Sequence, residues 1–271
     1  MEEINFSKIY SYSKLEMFKK CRRQYYFYYL DPEISPRKKE FIKPRDYKTI
    51  GQAVHGAITL FYHLPPKERS FEKLKKILFQ AWFSEKDPSK APPLGESGGF
   101  RDINHERQSY RKALLLLKNF FQFKDINPPI FYLPSQNIKD SFDDYKEMIV
   151  PINNDFFISG KFDRIDKTES QGLKIIDFKT GKNQRDNFQL EFYTLLAEMN
   201  FKTPVQKVCF YYLESRKIVY FDFSKINREE TIKKIIKRIK TIQETKDFPP
   251  RPGKLCSHCD FKEICPAFKK G

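Results

Sequence analysis

The sequence lacks long apolar runs, a secretory signal and a nucleotide-binding loop. None of its segments approaches the run of about 18 apolar residues that crosses a membrane, so we expect no membrane-spanning helix. Its amino-terminal segment carries two acidic side chains and no apolar core, which is atypical of an export signal and favours a cytoplasmic, reducing location. The pattern G-x4-G-K-S/T is also absent, so ATP-driven helicase work would have to come from a partner protein.

Cysteine is scarce, and its five residues are not expected to form a disulfide framework in a reducing compartment. Three of them lie close together in the tail, as Cys256-x2-Cys259-x5-Cys265. Such spacing favours metal binding, but a structural site needs a fourth ligand. Cys21 is the candidate, and His258 ranks lower because it lies tightly between two ligands. Four thiolates accept either zinc or a 4Fe–4S cluster.

Charge of one sign is in excess, since 51 Lys+Arg against 35 Asp+Glu gives a net charge of +16. The excess indicates a polyanionic partner, with nucleic acid first and an anionic membrane surface second, although a merely basic protein also fits. Aromatic residues make up 16% of the chain and can build a sizeable core, so disorder is not expected over most of it. Cys209, in an apolar strand, is interpreted as a buried small hydrophobe.

Hydrophobic periodicity predicts helices around a group of strands. Ser13, with Glu16 three residues later, is a capping-box pattern that predicts a helix start, and the apolar face of that helix continues to Tyr29. Loops are predicted over 31–48 and 87–104. Further helices are predicted over 50–64, 71–83, 107–123, 188–200 and 228–245, and strands over 142–166 (with a turn at 153–154), 174–179, 205–212 and 217–223.

The predicted elements indicate one α/β or α+β domain over residues 1–271, with a central mixed β-sheet flanked by helices. A helical insertion is expected over 65–125. A Cys-rich tail is expected over 248–268, closing onto Cys21.

The strand over 174–179 carries the sharpest pattern. Because side chains alternate along a strand, Asp177 and Lys179 share one face while Ile176 and Phe178 point into the core. The carboxylate can hold a divalent metal, and the ammonium can orient a water or stabilise charge on a phosphate. Taken alone, however, this pattern favours a surface strand with an incidental ion pair.

Asp163 is a candidate second carboxylate. Gly160 in its strand suggests a bend, and the connection over 167–173 suits a hairpin that places Asp163 beside Asp177. Two carboxylates on adjacent strands are what a magnesium or manganese site needs. The alternative is that Asp163 and Arg164 only solvate an edge strand.

Three further polar residues complete the candidate set. His55 lies in an otherwise apolar helix and becomes a third metal ligand if it lies beside the carboxylates; otherwise it is a satisfied core histidine. Gln189 and Tyr193 share a helix face at i, i+4 and could contact a phosphate backbone or orient Lys179. Ordinary helix surface remains the alternative for that pair.

Six short motifs follow one another from residue 11 to residue 266. They are Ser13-x-Leu15-x2-Phe18-x2-Cys21, Gly51-x3-His55, Gly160-x2-Asp163-Arg164-Ile165-Asp166, Ile175-Ile-Asp177-Phe-Lys179-Thr-Gly-Lys182, Gln189-x3-Tyr193 and Cys256-x2-Cys259-x5-Cys265-Pro266. In this order they resemble the PD-(D/E)XK nucleases of the RecB type, and within them the iron–sulfur members, namely AddB-type nuclease domains and CRISPR-associated RecB-like exonucleases. One departure is Arg22, where the family often has Pro after the first Cys.

The resemblance implies a restriction-endonuclease-like core that hydrolyses DNA as an exonuclease with Mg²⁺ or Mn²⁺. A preference for single strands is expected from the mixture of basic and aromatic residues over 19–29, although the same tyrosines could belong to the core. The active-site residues that the resemblance implies are His55, Asp163, Asp177, Lys179, Gln189 and Tyr193. The first three of these would ligate the ions, and Lys179 would be the catalytic lysine. The resemblance also implies a 4Fe–4S cluster held by Cys21, Cys256, Cys259 and Cys265, with zinc as the lower-ranked occupant. We expect this cluster to be structural.

Two functions follow as hypotheses. The first is a metal-dependent DNA exonuclease in repair, recombination or nucleic-acid processing, with a possible helicase partner and no membrane association. The second is a non-catalytic nucleic-acid-binding or scaffolding module that retains the nuclease fold. The enzyme is favoured because degenerate relatives usually lose the carboxylates or the lysine, and both kinds of residue are present here.

Overall fold

A computed structural model describes residues 6–82, 94–134, 148–181, 187–223 and 226–268. The helices are α1 (Tyr12–Lys20), α2 (Arg22–Tyr29), α3 (Lys38–Phe41), α4 (Asp46–His63), α5 (Phe71–Trp82), α6 (Ile103–Gln122), α7 (Asn187–Phe201) and α8 (Arg228–Glu244). The strands are β1 (Ile9–Ser11), β2 (Ile130–Tyr132), β3 (Met148–Pro151), β4 (Phe157–Gly160), β5 (Arg164–Lys167), β6 (Leu173–Lys179), β7 (Val205–Tyr212) and β8 (Lys217–Asp222).

The chain divides into two units. One contains Met1–Lys43, Ile149–Gly160 and Asn227–Gly271, and the other contains Pro44–Met148 and Lys161–Ile226. The strands form a three-stranded sheet in the order β1-β4-β3 and a five-stranded sheet in the order β2-β5-β6-β7-β8. The predicted α/β class, with mixed sheet flanked by helices, is confirmed. No helix in the described part of the chain has the length and apolar character needed to cross a bilayer.

In the first unit, helix α1 begins one residue after Ser11. The Ser11 hydroxyl accepts a hydrogen bond from the backbone N–H of Lys14 at 3.2 Å and so caps the helix. The prediction that Ser13 caps this helix is wrong, because Ser11 has the extended backbone that aims a side chain at the free amides, whereas Ser13 is already helical. Glu16 has a tertiary role instead, since its carboxylate accepts from Arg238 on α8 at 2.8 Å.

The predicted continuous helix to Tyr29 is broken at Cys21, whose backbone is extended (φ −158°, ψ 114°). The aromatic face therefore runs over two helices, with Phe18 and Tyr25 packed edge to face at 5.3 Å. Phe248 lies 5.2 Å from Tyr26, measured between ring centroids. In the same way Phe261 packs against α2 and α3, so aromatic contacts hold the carboxyl-terminal tail on these helices.

In the second unit, the predicted hairpin is confirmed, because β5 and β6 pair antiparallel with Arg164 opposite Ile176. Strand β6 also pairs in parallel with β7, and α7 supplies the crossover that a parallel pair requires. Helices α4, α5 and α6 pack into one core with the buried side chains of β6 and β7. This packing fixes α4 beside β6, and these two elements carry most of the candidate site.

Several predicted boundaries differ from the structure. Helix α6 begins at Ile103 rather than at residue 107, because Asp102 accepts from the His105 amide at 2.8 Å and caps it. The short elements α3 and β2 lie in stretches where the sequence predicted none. Parts of two predictions lie outside the described residues, namely the loop over 87–104 and the start of the strand region over 142–166. Residue 83 and Lys182 also lie outside them. The domain limits, including the insertion over 65–125, stay predictions.

Replacing the cap of α1 tests its assignment. Ser11→Ala removes the acceptor for the Lys14 amide, so we expect the free energy of unfolding to fall by about 1 kcal/mol. Ser13→Ala is the matched control, because the exposed Ser13 hydroxyl contacts Ser11 Oγ at 2.9 Å but is not the acceptor of the Lys14 amide, and its change should stay within about 0.5 kcal/mol. Urea unfolding followed by circular dichroism measures both values. A larger loss in the Ser13 variant than in the Ser11 variant would contradict this assignment.

Candidate active site

Two carboxylates meet at the β5–β6 hairpin. Asp163 lies directly before β5, and Asp177 lies within β6. The backbone N–H of Phe178 donates to Asp163 Oδ2 at 2.8 Å, which ties the first carboxylate to the strand that carries the second. The hairpin therefore produces the juxtaposition that the sequence pattern predicted.

His55 joins this pair from helix α4. Its Nδ1 lies 2.9 Å from Asp163 Oδ1, across 108 residues of sequence. The side chains of His55 and Asp163 are 29% and 25% exposed, so solvent reaches both. Of the two interpretations of His55, the structure matches the one that places it beside the carboxylates.

Lys179 shares the face of Asp177, as alternation along β6 requires. Its Nζ lies 2.6 Å from Asp177 Oδ2 and 4.8 Å from the centroid of the Phe210 ring. The ammonium is thus held by a carboxylate on one side and an aromatic ring on another.

Gln189 and Tyr193 lie on α7 and line the same open pocket as the carboxylates, a pocket of about 640 Å³. The Tyr193 ring packs against Phe162, with centroids 5.6 Å apart. Lys161 also lines this pocket, although no sequence pattern pointed to it. The structure thus brings all six predicted active-site residues to one cavity.

The two carboxylates differ electrostatically. Burial alone would raise the pKa of Asp163, but the charge and hydrogen bond of His55 and the Phe178 amide lower it. Burial raises the pKa of Asp177, and the nearby Asp163 adds to this rise against the opposing effect of Lys179. Burial would also lower the pKa of His55, but Asp163 outweighs it and the pKa is raised. The fold therefore favours the ionised form of Asp163 and disfavours that of Asp177.

The donor set suits a hard divalent cation in its chemistry, because it consists of carboxylate oxygens and an imidazole in a solvent-accessible pocket. Within the described residues, no three His, Cys, Asp or Glu side chains are already arranged as a metal site. This finding covers the cysteines of the chain as well. In the pocket, Asp163 engages His55, and Asp177 engages Lys179. A cation would have to replace these internal contacts.

Four cysteines line a second cavity, in the first unit, and they are Cys21, Cys256, Cys259 and Cys265. All are free thiols. Burial raises the pKa of Cys259, and the nearby Cys21 and Cys265 raise it further. His258, the lower-ranked ligand, is not among the residues that line this cavity. The interpretation of Cys209 is confirmed, since it is fully buried in β7 and burial raises its pKa to about 12.

The interpretation of Arg164 as a residue that solvates an edge strand is wrong. Strand β5 lies between β2 and β6, and the Arg164 side chain is fully buried. Its guanidinium pairs with Asp125 and Asp166. Asp125 carried no signal in the sequence, because it lies in a loop far from the motifs and its partners come together only in the fold.

The chain is similar to known proteins in varying degree. A family model described as the PD-(D/E)XK nuclease superfamily matches residues 9–266. The chain is 27% identical over 215 residues to an ATP-dependent helicase/deoxyribonuclease component of Carboxydothermus hydrogenoformans, an alignment that covers 72% of this chain and 19% of that protein. It is 30% identical over 104 residues to the Gene 69 protein of Mycobacterium phage L5, covering 36% of each. This chain therefore spans about a fifth of the length of the first relative.

A likeness to a solved structure is weaker. The crystal structure of SSO0001 matches over 99% of this chain and 90% of its own, with a TM-score of 0.39 and 12% sequence identity.

Neutralising each carboxylate in turn tests the electrostatic difference between them. In EDTA at pH 7, we expect Asp163→Asn to lower the melting temperature, because it removes a charge that the fold favours. We expect Asp177→Asn to raise it or leave it unchanged, because the fold disfavours that charge. The stability that Asp163 contributes should be lost as pH falls through its ordinary pKa of 3.8 and below, where the native carboxylate takes up its proton.

Differential scanning calorimetry between pH 3 and pH 8 measures these effects. A larger loss at pH 7 in the Asp177 variant than in the Asp163 variant would reverse the assignment.

Proposed function

The chain belongs to the PD-(D/E)XK nuclease superfamily, and from this premise we propose that it is a metal-dependent DNA exonuclease of the RecB-like type. It would hydrolyse phosphodiester bonds, with single-stranded DNA preferred, in repair, recombination or other nucleic-acid processing. The observation that carries the proposal is the convergence of His55, Asp163, Asp177 and Lys179 in one open pocket. The name of the helicase/deoxyribonuclease relative supports DNA as the substrate.

In this proposal His55, Asp163 and Asp177 hold Mg²⁺ or Mn²⁺, which suit oxygen and imidazole donors. Such an ion, when bound, makes a water more acidic and polarises a phosphate. Among the protein's own side chains, Lys179 has the most direct role in stabilising charge. Its ammonium, held 2.6 Å from Asp177, donates to the phosphate oxygen on which negative charge develops. Gln189 and Tyr193 line the same pocket, where they contact the phosphate backbone or orient Lys179.

Nucleic acid is the partner that the charge favours. The net charge of +16 attracts a polyanion that the carboxylates of the pocket alone would repel. On α2, Arg22 is exposed and Tyr26 and Tyr28 are half-buried, a mixture that suits backbone contact and base stacking on single strands. Tyr25 and Phe27 of the same helix are buried and belong to the core instead.

We propose that the four-cysteine cavity holds a 4Fe–4S cluster, with zinc as the lower-ranked occupant. Four thiols around one cavity provide the donor number that either group requires. Cys21 lies between α1 and α2, and the other three lie in the tail. A group bound there would join the two ends of the sequence within one unit, so its role would be structural.

A helicase partner is part of the proposal. The relative's name joins helicase and deoxyribonuclease, whereas this chain spans about a fifth of that protein and has no Walker A pattern. In this proposal a helicase partner separates the strands, because residues 1–271 carry no nucleotide-binding loop that could drive this step.

Cleavage of end-labelled DNA tests the activity. With Mn²⁺ or Mg²⁺, we expect the wild-type protein to shorten single-stranded DNA faster than double-stranded DNA. Asp177→Ala and Lys179→Ala should each lower the rate by about 100-fold or more, because they remove a metal ligand and a charge-stabilising donor. Lys217→Ala, an exposed cation on β8, is the matched control and should retain full activity.

Cleavage that survives both site substitutions would refute this site. Binding of DNA without cleavage of any substrate would favour the non-catalytic module instead.

Iron content tests the cysteine assignment. Protein purified without oxygen should be brown and contain about four iron atoms per chain. Cys256→Ala should lose the iron and its visible absorbance, whereas Cys209→Ala, which changes the buried thiol of β7, should keep both. Zinc in place of iron would select the lower-ranked occupant. A Cys256→Ala protein without iron that stays folded and fully active would contradict the structural role.

A further inference from the structure

A deeply buried cation of the second unit is Arg164, whose side chain is 0% exposed. Its Nη2 donates to Asp125 Oδ2 at 2.5 Å and to Asp166 Oδ2 at 3.1 Å, and its Nε lies 3.0 Å from Asp166 Oδ1. Lys174 Nζ lies 3.2 Å from Asp166 and balances the second carboxylate. A buried charge is costly unless it is paired, so the guanidinium depends on both carboxylates.

Aromatic rings surround the same guanidinium. Its central carbon lies 4.5 Å from the ring centroid of Tyr62, 5.8 Å from that of Phe178 and 6.0 Å from that of Tyr211. Both tyrosines are also anchored through their hydroxyls, because Tyr62 donates to the Asp125 carbonyl at 2.8 Å and Tyr211 to Asp125 Oδ2 at 3.0 Å. We call this set the arginine box: Arg164, Tyr62, Phe178, Tyr211, Asp125 and Asp166.

The arginine box adjoins the candidate active site in sequence at three points. Arg164 directly follows Asp163, and Phe178 lies between Asp177 and Lys179. Tyr62 follows His55 by seven residues on α4, which is two helical turns. Helix α4 and the β5–β6 hairpin therefore each carry residues of both the site and the box.

The two faces of β6 have different roles, because one lines the pocket and the other packs in the arginine box. Phe178 projects from the strand face opposite to Asp177, because side chains alternate, and there it packs on Arg164. The backbone amide of Phe178 meanwhile donates to Asp163 at 2.8 Å. A shift of Phe178 in the box would move both that amide and the neighbouring carboxylate.

We infer that Arg164 is a positioning residue, which fixes Asp163 and Asp177 in the pocket through the arginine box. The inference rests on the proposed function, since it takes this pocket as the site of phosphodiester cleavage. Replacing a residue that hydrogen-bonds a metal ligand typically changes metal affinity or activity by 10–100-fold. Arg164 acts one contact further out, because it packs on Phe178, whose amide holds Asp163. A purely structural arginine would change stability alone.

The test compares three variants. Arg164→Met removes the charge, Arg164→Lys keeps the charge but loses the planar fork, and Leu78→Ala opens the core at a fully buried residue of α5 outside the box. For each we would measure the melting temperature, the Mn²⁺ affinity from the electron paramagnetic resonance signal of free Mn²⁺, and kcat and KM on single-stranded DNA. All assays are run well below the lowest melting temperature.

We expect Arg164→Met to weaken Mn²⁺ binding by about 10-fold and to lower kcat by about 100-fold, with KM changed by less than about threefold. Arg164→Lys should recover part of both losses. Leu78→Ala should lower the melting temperature and leave Mn²⁺ affinity and kcat at wild-type values.

Wild-type Mn²⁺ affinity and kcat in a folded Arg164→Met protein would overturn the inference. If that variant does not fold, the Arg164→Lys protein decides in the same way, because wild-type values in it would overturn the inference and a partial loss would support it. A wild-type chain that neither binds Mn²⁺ nor cleaves DNA would refute the proposed function and the inference together. If the wild-type chain binds Mn²⁺ and cleaves DNA, but the Arg164 variants have the same Mn²⁺ affinity and kcat as Leu78→Ala, the inference alone is refuted.

Discussion

The candidate site depends on one short hydrogen bond, from the backbone N–H of Phe178 to Asp163 Oδ2 at 2.8 Å. It holds the residue before β5 against the strand that carries Asp177 and Lys179, and so fixes two carboxylates and an ammonium in one pocket. His55 adds the second contact to Asp163 from α4. The same hairpin has a buried face, where Phe178 and Arg164 join the core. Packing and site geometry are therefore properties of the same few residues.

Much of the fold could be predicted from periodicity, because long helices and strands bury one face and repeat apolar residues accordingly. Helix α8 and strands β6 and β7 lie close to their predicted bounds. The short elements could not be found, since α3 has four residues and β2 has three, too few for any period to show. The sequence predicted Ser13 as the cap of α1, whereas Ser11 caps it. Which of the two serines caps the helix depends on their backbone angles and not on residue type.

In the candidate site too, local features could be predicted from the sequence and long-range contacts could not. Local alternation predicted that Asp177 and Lys179 share a face, and the connection over 167–173 predicted the hairpin that brings Asp163 near. The contact of His55 spans 108 residues, so the sequence left it conditional. The burial of Arg164 could not be predicted, because its partners Asp125 and Tyr211 lie in other elements and a charged residue beside a polar motif is ordinarily exposed. Charge pairs between residues far apart in the sequence could not be predicted from local sequence patterns.

We propose that Asp163, Asp177 and His55 form the cation site of this nuclease. An anomalous difference map from crystals grown with Mn²⁺, collected at the manganese edge, tests it most directly. We expect a peak in the pocket that contacts both carboxylates and the imidazole, with Lys179 displaced from Asp177. A peak elsewhere on the molecule, or His55 and Asp163 still hydrogen-bonded to each other with no peak between the carboxylates, would contradict it.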